Sequence, residues 1–159
     1  MNNLRLRLIL WFTAALILSI LPMPTLLSAF RPPWVLLLVL YIEYFLPGKF
    51  KLTSLLFVGL ILDVLLATVI GEHSLALLLV TWMASSKSRR FQFFTMVQQI
   101  CLIGFFCLAY QAIITVTDLL LGFNYSILSP IGSALLGMFF WPWIRLIGED
   151  SLLTRLTYR

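Results

Sequence analysis

Residues 52–70, LTSLLFVGLILDVLLATVI, form an apolar run with a single charged side chain, Asp63, inside it. This run restricts the fold more than any other feature. At about 1.5 Å of rise per residue, a helix of that length crosses a hydrocarbon core of about 30 Å. A carboxylate in mid-span costs about 2.5–3.5 kcal/mol on insertion scales, so it has to face a bundle interior or an aqueous cavity. Gly59, one helical turn earlier, lies on the same face and admits a second backbone at close range. Two roles are open to Asp63: a polar anchor for a pocket or partner, or a hydrogen-bonded structural residue.

Five further apolar segments follow the same style, at about 6–21, 34–46, 75–85, 95–121 and 127–144. The second and fourth of the six are short. They must borrow flanking residues, cross where the bundle thins the bilayer, or be re-entrant. Only 11% of the residues are charged and mean hydropathy is +1.05, against about 25% charged in soluble domains. The expected fold is an all-α integral membrane protein with six transmembrane helices in one bundle. Residues 1–159 make a single transmembrane domain, and 145–159 a short cytoplasmic tail.

The basic residues give the orientation. With the N-terminus inside, the inner segments hold Arg5, Arg7, Lys49, Lys51, Lys87, Arg89, Arg90, Arg145, Arg155 and Arg159; the outer ones hold Arg31 alone. That asymmetry is the positive-inside pattern, with both termini cytoplasmic. It also favours the two short spans, since removing either puts a basic cluster outside. Trp34 falls at the outer boundary, and Trp11, Trp82, Trp141 and Trp143 toward the inner one. A net charge of +5 without an aromatic-basic groove does not point to nucleic acid. Arg5, Arg7 and Leu27-Ser28-Ala29 resemble a cleavable signal, but Pro22 and Pro24 fit better as the outer end of an uncleaved first span.

Arg31 opens FRPPW (30–34), where Pro33 suits the first helical position. Arg31, Pro32 and Trp34 are expected to form an outer structural corner. A cation beside a helix N-terminus is disfavoured by the dipole, so Arg31 is expected to pair with an outer carboxylate, Asp118 or Glu72 first, or else with lipid phosphate. Glu43 is expected to pair with Lys49 or Lys51 at the interface, and Gln98 and Gln99 to face neighbours or headgroups. Glu72-His73, after Gly71, reads as a solvated turn, and Glu149-Asp150 as facing the cytoplasm. Ser129, Ser133 and Gly137, four apart, make a small-residue stripe for helix packing, internal or with a partner. Phe139–Trp143 then end the span with an aromatic belt and a kink. Cys101 and Cys107 fall on different helix faces and read as packing residues. No nucleophile–base pair, phosphate loop or paired carboxylates emerge, so no enzyme, metal or cofactor is expected. No repeated polar lining suggests a channel.

FRPPW, LYIEYFLPGK (40–49), GLILDVLLATVIGEHSLALLL, the Val97-Gln98-Gln99 run and WPWI at 141–144 together resemble the rod shape-determining protein MreD family nearly end to end. The resemblance implies a non-enzymatic inner-membrane subunit of the peptidoglycan elongation machinery. It implies a single-span MreC-like partner, an MreB-like filament, a RodA-type glycosyltransferase and a class B penicillin-binding protein. It also implies a fold similar to the S-components of energy-coupling-factor transporters. The tail, with Glu149 and Asp150, is less basic than the family's tails. A second function class is a small-molecule or lipid-binding protein with an S-component-like pocket, marked by polar groups such as Arg31 and Asp63 converging on an outward cavity.

Overall fold

A computed structural model describes residues 2–21, 32–46, 52–86, 88–91, 93–123 and 128–148, the side chains of 2–5, 52, 88–89 and 128–129 excepted. Among them the chain is all helical. The elements are α1 (Asn2–Ile20), α2 (Trp34–Phe45), α3 (Leu52–Leu66), α4 (Glu72–Ser85), the single-turn α5 (Ser88–Phe91), α6 (Met96–Leu121) and α7 (Leu128–Gly148).

The bundle is organised around its shortest long helix. WVLLLVLYIEYF is apolar nearly all round, and a helix of that kind is stable only when covered on every side. In α2, Val35 through Ile42 and Tyr44 are all buried. Helix α1 lies against it through Phe12 and Ala15, and α4, α5 and α7 cover the rest. Helix α2, twelve residues long, is thus a core helix of the bundle.

Helices α6 and α7 form the most extensive pair. Their seam is built from small residues: Gly104 faces the Met138 thioether and Gly137 faces Cys107 Sγ. Gln111 Nε2 donates to Ser133 Oγ at 2.9 Å across the same seam. Ser133 and Gly137 are thus spent on internal packing. Cys107 is buried and Cys101 exposed, unbonded and on different faces. The aromatic run does not end α7. The helix continues through Pro142 to Gly148, and Trp141 is fully buried against Phe91 instead of joining a belt.

The exterior is as apolar as the interior. Val64, Ile70, Val97, Leu120 and Phe139 are each well over half exposed, with some thirty other large apolar side chains. Two helices, Met96–Leu121 and Pro130–Gly148, are long and apolar enough to cross a membrane, and only 28% and 33% of their apolar windows are buried. A soluble core helix is mostly covered; these two are not. A continuous apolar surface of this extent needs lipid or protein over it.

Candidate functional site

Asp63, fully buried, is the most highly coordinated side chain described. It sits in the penultimate turn of α3, and the chain reverses after Leu66 through 67–71 into α4. Thr68 N–H donates to the Asp63 carbonyl at 3.1 Å, which folds the reversal back on itself. Gly71 then stands at the N-cap of α4 with φ +101, a conformation open to glycine and strained for other residues. Glycine supplies no capping side chain. Without one, the first N–H groups of α4 have no intrahelical acceptor.

Asp63 supplies the missing acceptor from the preceding helix. Its Oδ2 accepts from Gly71 N–H at 2.8 Å and from Ser74 Oγ at 3.1 Å. Its Oδ1 accepts from His73 N–H at 2.9 Å and lies 3.0 Å from His73 Nδ1. Four donors on one carboxylate fill its acceptor sites. The positive end of the α4 dipole adds to the stabilisation of a charge there. Thr68 Oγ1 is 3.3 Å from the same imidazole nitrogen. Gly59 makes the approach of the two helices feasible: a Cβ at that position would lie 2.8 Å from Ser74 N and closer still to Ser74 Cα.

Glu72 and His73 are buried, not a solvated turn. The turn is covered because α6 packs over it, with the His73 and Tyr110 rings 6.1 Å apart edge to face. Asp118, half-buried near the end of α6, is close enough for its charge to repel that of Glu72. The histidine that had no partner in the sequence has Asp63. Asp63, Gly59 and Gly71 come together in one corner, joined by His73, which the sequence placed in a solvated turn, and by Ser74, which it did not single out. The signal was present: an aspartate at the end of one apolar run, then a glycine opening the next with Ser74 three residues on. Ser133 and Gly137 lie apart, in the α6–α7 seam.

At the start of α2, Pro32 is buried and its carbonyl accepts from Trp34 N–H at 2.9 Å. The Trp34 ring packs on Phe140 of α7, centroids 4.6 Å apart, so it is part of the core's edge. Arg31, the expected partners Lys49 and Lys51 of Glu43, and Glu149-Asp150 lie outside the described residues, as does the Ser129 side chain.

The opposite end of the bundle has its own polar centre. Gln98 Oε1 accepts from Thr95 N–H at 3.1 Å and closes a capping box on α6. Gln99, buried and not at the headgroups, donates through Nε2 to the carbonyls of Phe94 (3.1 Å) and Phe91 (3.4 Å). Its Oε1 accepts from Arg145 Nη1 at 3.0 Å. Phe91 is buried and stacked on Tyr44, centroids 3.7 Å apart. These contacts hold the α4–α6 connection against the bundle. Among the described residues no group of His, Cys, Asp or Glu is arranged to hold a metal ion.

The chain belongs to the rod shape-determining protein MreD family, whose family model matches residues 2–149. No solved structure matches it. Membership supports a role in rod-shape determination and, at a coarse level, involvement in the MreB/MreC rod-shape system. The family and the apolar helices are consistent with a membrane protein.

Proposed function

We propose that the chain is a non-enzymatic, multi-pass scaffold of the bacterial inner membrane, with six spans and both termini in the cytoplasm. In this role it grips the span of an MreC-like partner and links MreB filaments to the wall synthases outside. The observation that carries the proposal is the family match over residues 2–149 on a bundle whose outer surface is apolar. In lipid no hydrophobic driving force acts between spans, so their association relies on side-chain packing and a few polar contacts, and exposed apolar faces are what such a bundle offers a partner helix.

The chemistry of Asp63 favours a scaffold over a ligand-binding protein. Its acceptor sites are filled by its own chain, so nothing remains for a bound metabolite. It braces α3 against α4, and that fixes the faces on either side of the corner.

Photo-crosslinking in cells tests the proposal. A photoreactive residue is placed in turn at Val64, Leu120 and Leu135, which are exposed on α3, α6 and α7. Capture of a single-span MreC-like protein from one face and not the others is expected. Rod-shaped cells that yield no such product from any face of the bundle would sink the scaffold reading.

A further inference from the structure

The connection between α4 and α6 is short and basic in sequence, and it is anchored at Phe91 and Phe94. Ser86 follows α4 directly and Thr95 caps α6. The eight residues between them reach at most about 28 Å when extended, so out and back they rise about 14 Å from the ends of the two helices. Gln99 shortens this by binding the carbonyls of Phe91 and Phe94, and Phe91 is sunk between Tyr44 and Trp141. The segment is therefore pressed to the end of the bundle.

Its described exposed groups are of two kinds. Arg90 is exposed; Lys87 and Arg89 precede it in the sequence, their side chains outside the described residues. No acidic residue occurs anywhere between Glu72 and Asp118, so the segment contains no counter-charge. Phe93 is 88% exposed, next to the buried anchors. Trp82, at the same end of α4, is 68% exposed. Cations interleaved with outward aromatics at a membrane boundary match an interface in which charge meets headgroup phosphate and rings enter the acyl border. The Debye length of about 8 Å at physiological salt is comparable to the height available to the segment.

We infer that Arg90, Phe93 and the anchors Phe91 and Phe94 beneath them form a platform for anionic phospholipid headgroups, with Arg90 contacting phosphate and Phe93 seated at the acyl boundary. This rests on the membrane-spanning reading above. It goes beyond a general inward bias of positive charge, because a rigid platform selects among lipids where a loose loop only orients the chain.

The full chain is reconstituted in vesicles of equimolar phosphatidylglycerol and phosphatidylcholine, extracted in mild detergent, and its retained lipids are weighed by native mass spectrometry. The wild type is expected to retain phosphatidylglycerol preferentially. Arg90→Gln is expected to lower the phosphatidylglycerol-to-phosphatidylcholine ratio about fivefold, Arg90→Lys to restore most of it, and Phe93→Ser to reduce retention of both lipids alike. Equal retention by the wild type, or an unchanged ratio in Arg90→Gln, overturns the proposal. So does loss of a co-purifying protein from Arg90→Gln with the lipid ratio unchanged, which would make the platform a protein contact. Resistance of the wild type to carbonate extraction is measured in parallel. A chain that is washed out refutes the membrane reading itself, while one that stays without lipid preference refutes only the platform.

Discussion

Replacing Asp63 with leucine separates the cost of a charge in the membrane from the value of what that charge holds. Leucine removes a carboxylate near the end of α3, so on the membrane-spanning reading insertion of α3 improves, by less than the roughly 2.5–3.5 kcal/mol of a charge at a helix centre. Assembly of the bundle suffers. The N–H groups of Gly71 and His73 lose their acceptor in a buried corner, and each orphaned buried donor costs about 1–3 kcal/mol. Ser74 can turn its hydroxyl to a backbone carbonyl and the imidazole can change tautomer, so these two add little. The expected loss is about 2–6 kcal/mol of folding stability. Asp63→Asn keeps one acceptor oxygen and presents an amide donor to the other pair, so about half that loss is expected. The assay is unfolding in mixed micelles by titration with sodium dodecyl sulfate, followed by tryptophan fluorescence, to which the packed Trp34 and Trp141 contribute. Partner co-purification is measured on the same samples and should fall only with the folded fraction. Wild-type stability in Asp63→Leu would refute the capping role. Loss of the partner from a fully folded Asp63→Leu chain would refute it in another way, by showing that the carboxylate acts outward.

Gly59→Ala is expected to destabilise by about 1–3 kcal/mol in the same titration, because the new methyl meets backbone of Ser74 that cannot rotate away. Gly71→Ala meets no neighbour and is expected to cost about 1–2 kcal/mol through its left-handed φ alone; a Gly71→Ala variant as stable as the wild type would contradict that. Gln99→Leu removes both donors to the Phe91 and Phe94 carbonyls, so limited proteolysis should cut within residues 86–95 faster than in the wild type while α6 stays intact. Asp118 is half-exposed and Glu72 is buried, so Asp118→Arg is expected to rescue the shape defect of Arg31→Glu better than Glu72→Arg; no rescue by either points Arg31 to lipid phosphate.

The sequence made the helices legible because apolar runs and their basic flanks are local signals. It also made Asp63 legible as a cost that needed an explanation. The explanation was not legible, because Asp63 meets its donors through a reversal whose geometry depends on the left-handed Gly71. Glu72 and His73 look solvated when only their neighbours in sequence are considered. They are covered by α6, where the Tyr110 ring meets that of His73 from some forty residues away. Gln99 illustrates the same limit: a polar residue early in an apolar helix is ambiguous until the carbonyls that it serves are in place. The small-residue stripe had two uses open to it, and Gln111 with Cys107 decided for the internal one.

The unequal lengths of the helices have a consequence for the surrounding lipid. Helix α6 is about 39 Å long and α7 about 32 Å, whereas α3 and α4 are about 22 Å. His73 lies beside Tyr110, about 16 Å short of the outer end of α6. One flank of the protein is thus tall and the other low, and a flat hydrocarbon sheet of about 30 Å fits neither. On the proposed membrane-spanning reading, lipid would have to stretch or the body to lean along α6, and the leaflets to draw together beside α3 and α4, at a cost of fractions of a kcal/mol per ångström of mismatch. A wedge of this kind is favoured wherever the bilayer already varies in thickness, so its shape alone biases where in a membrane the protein resides.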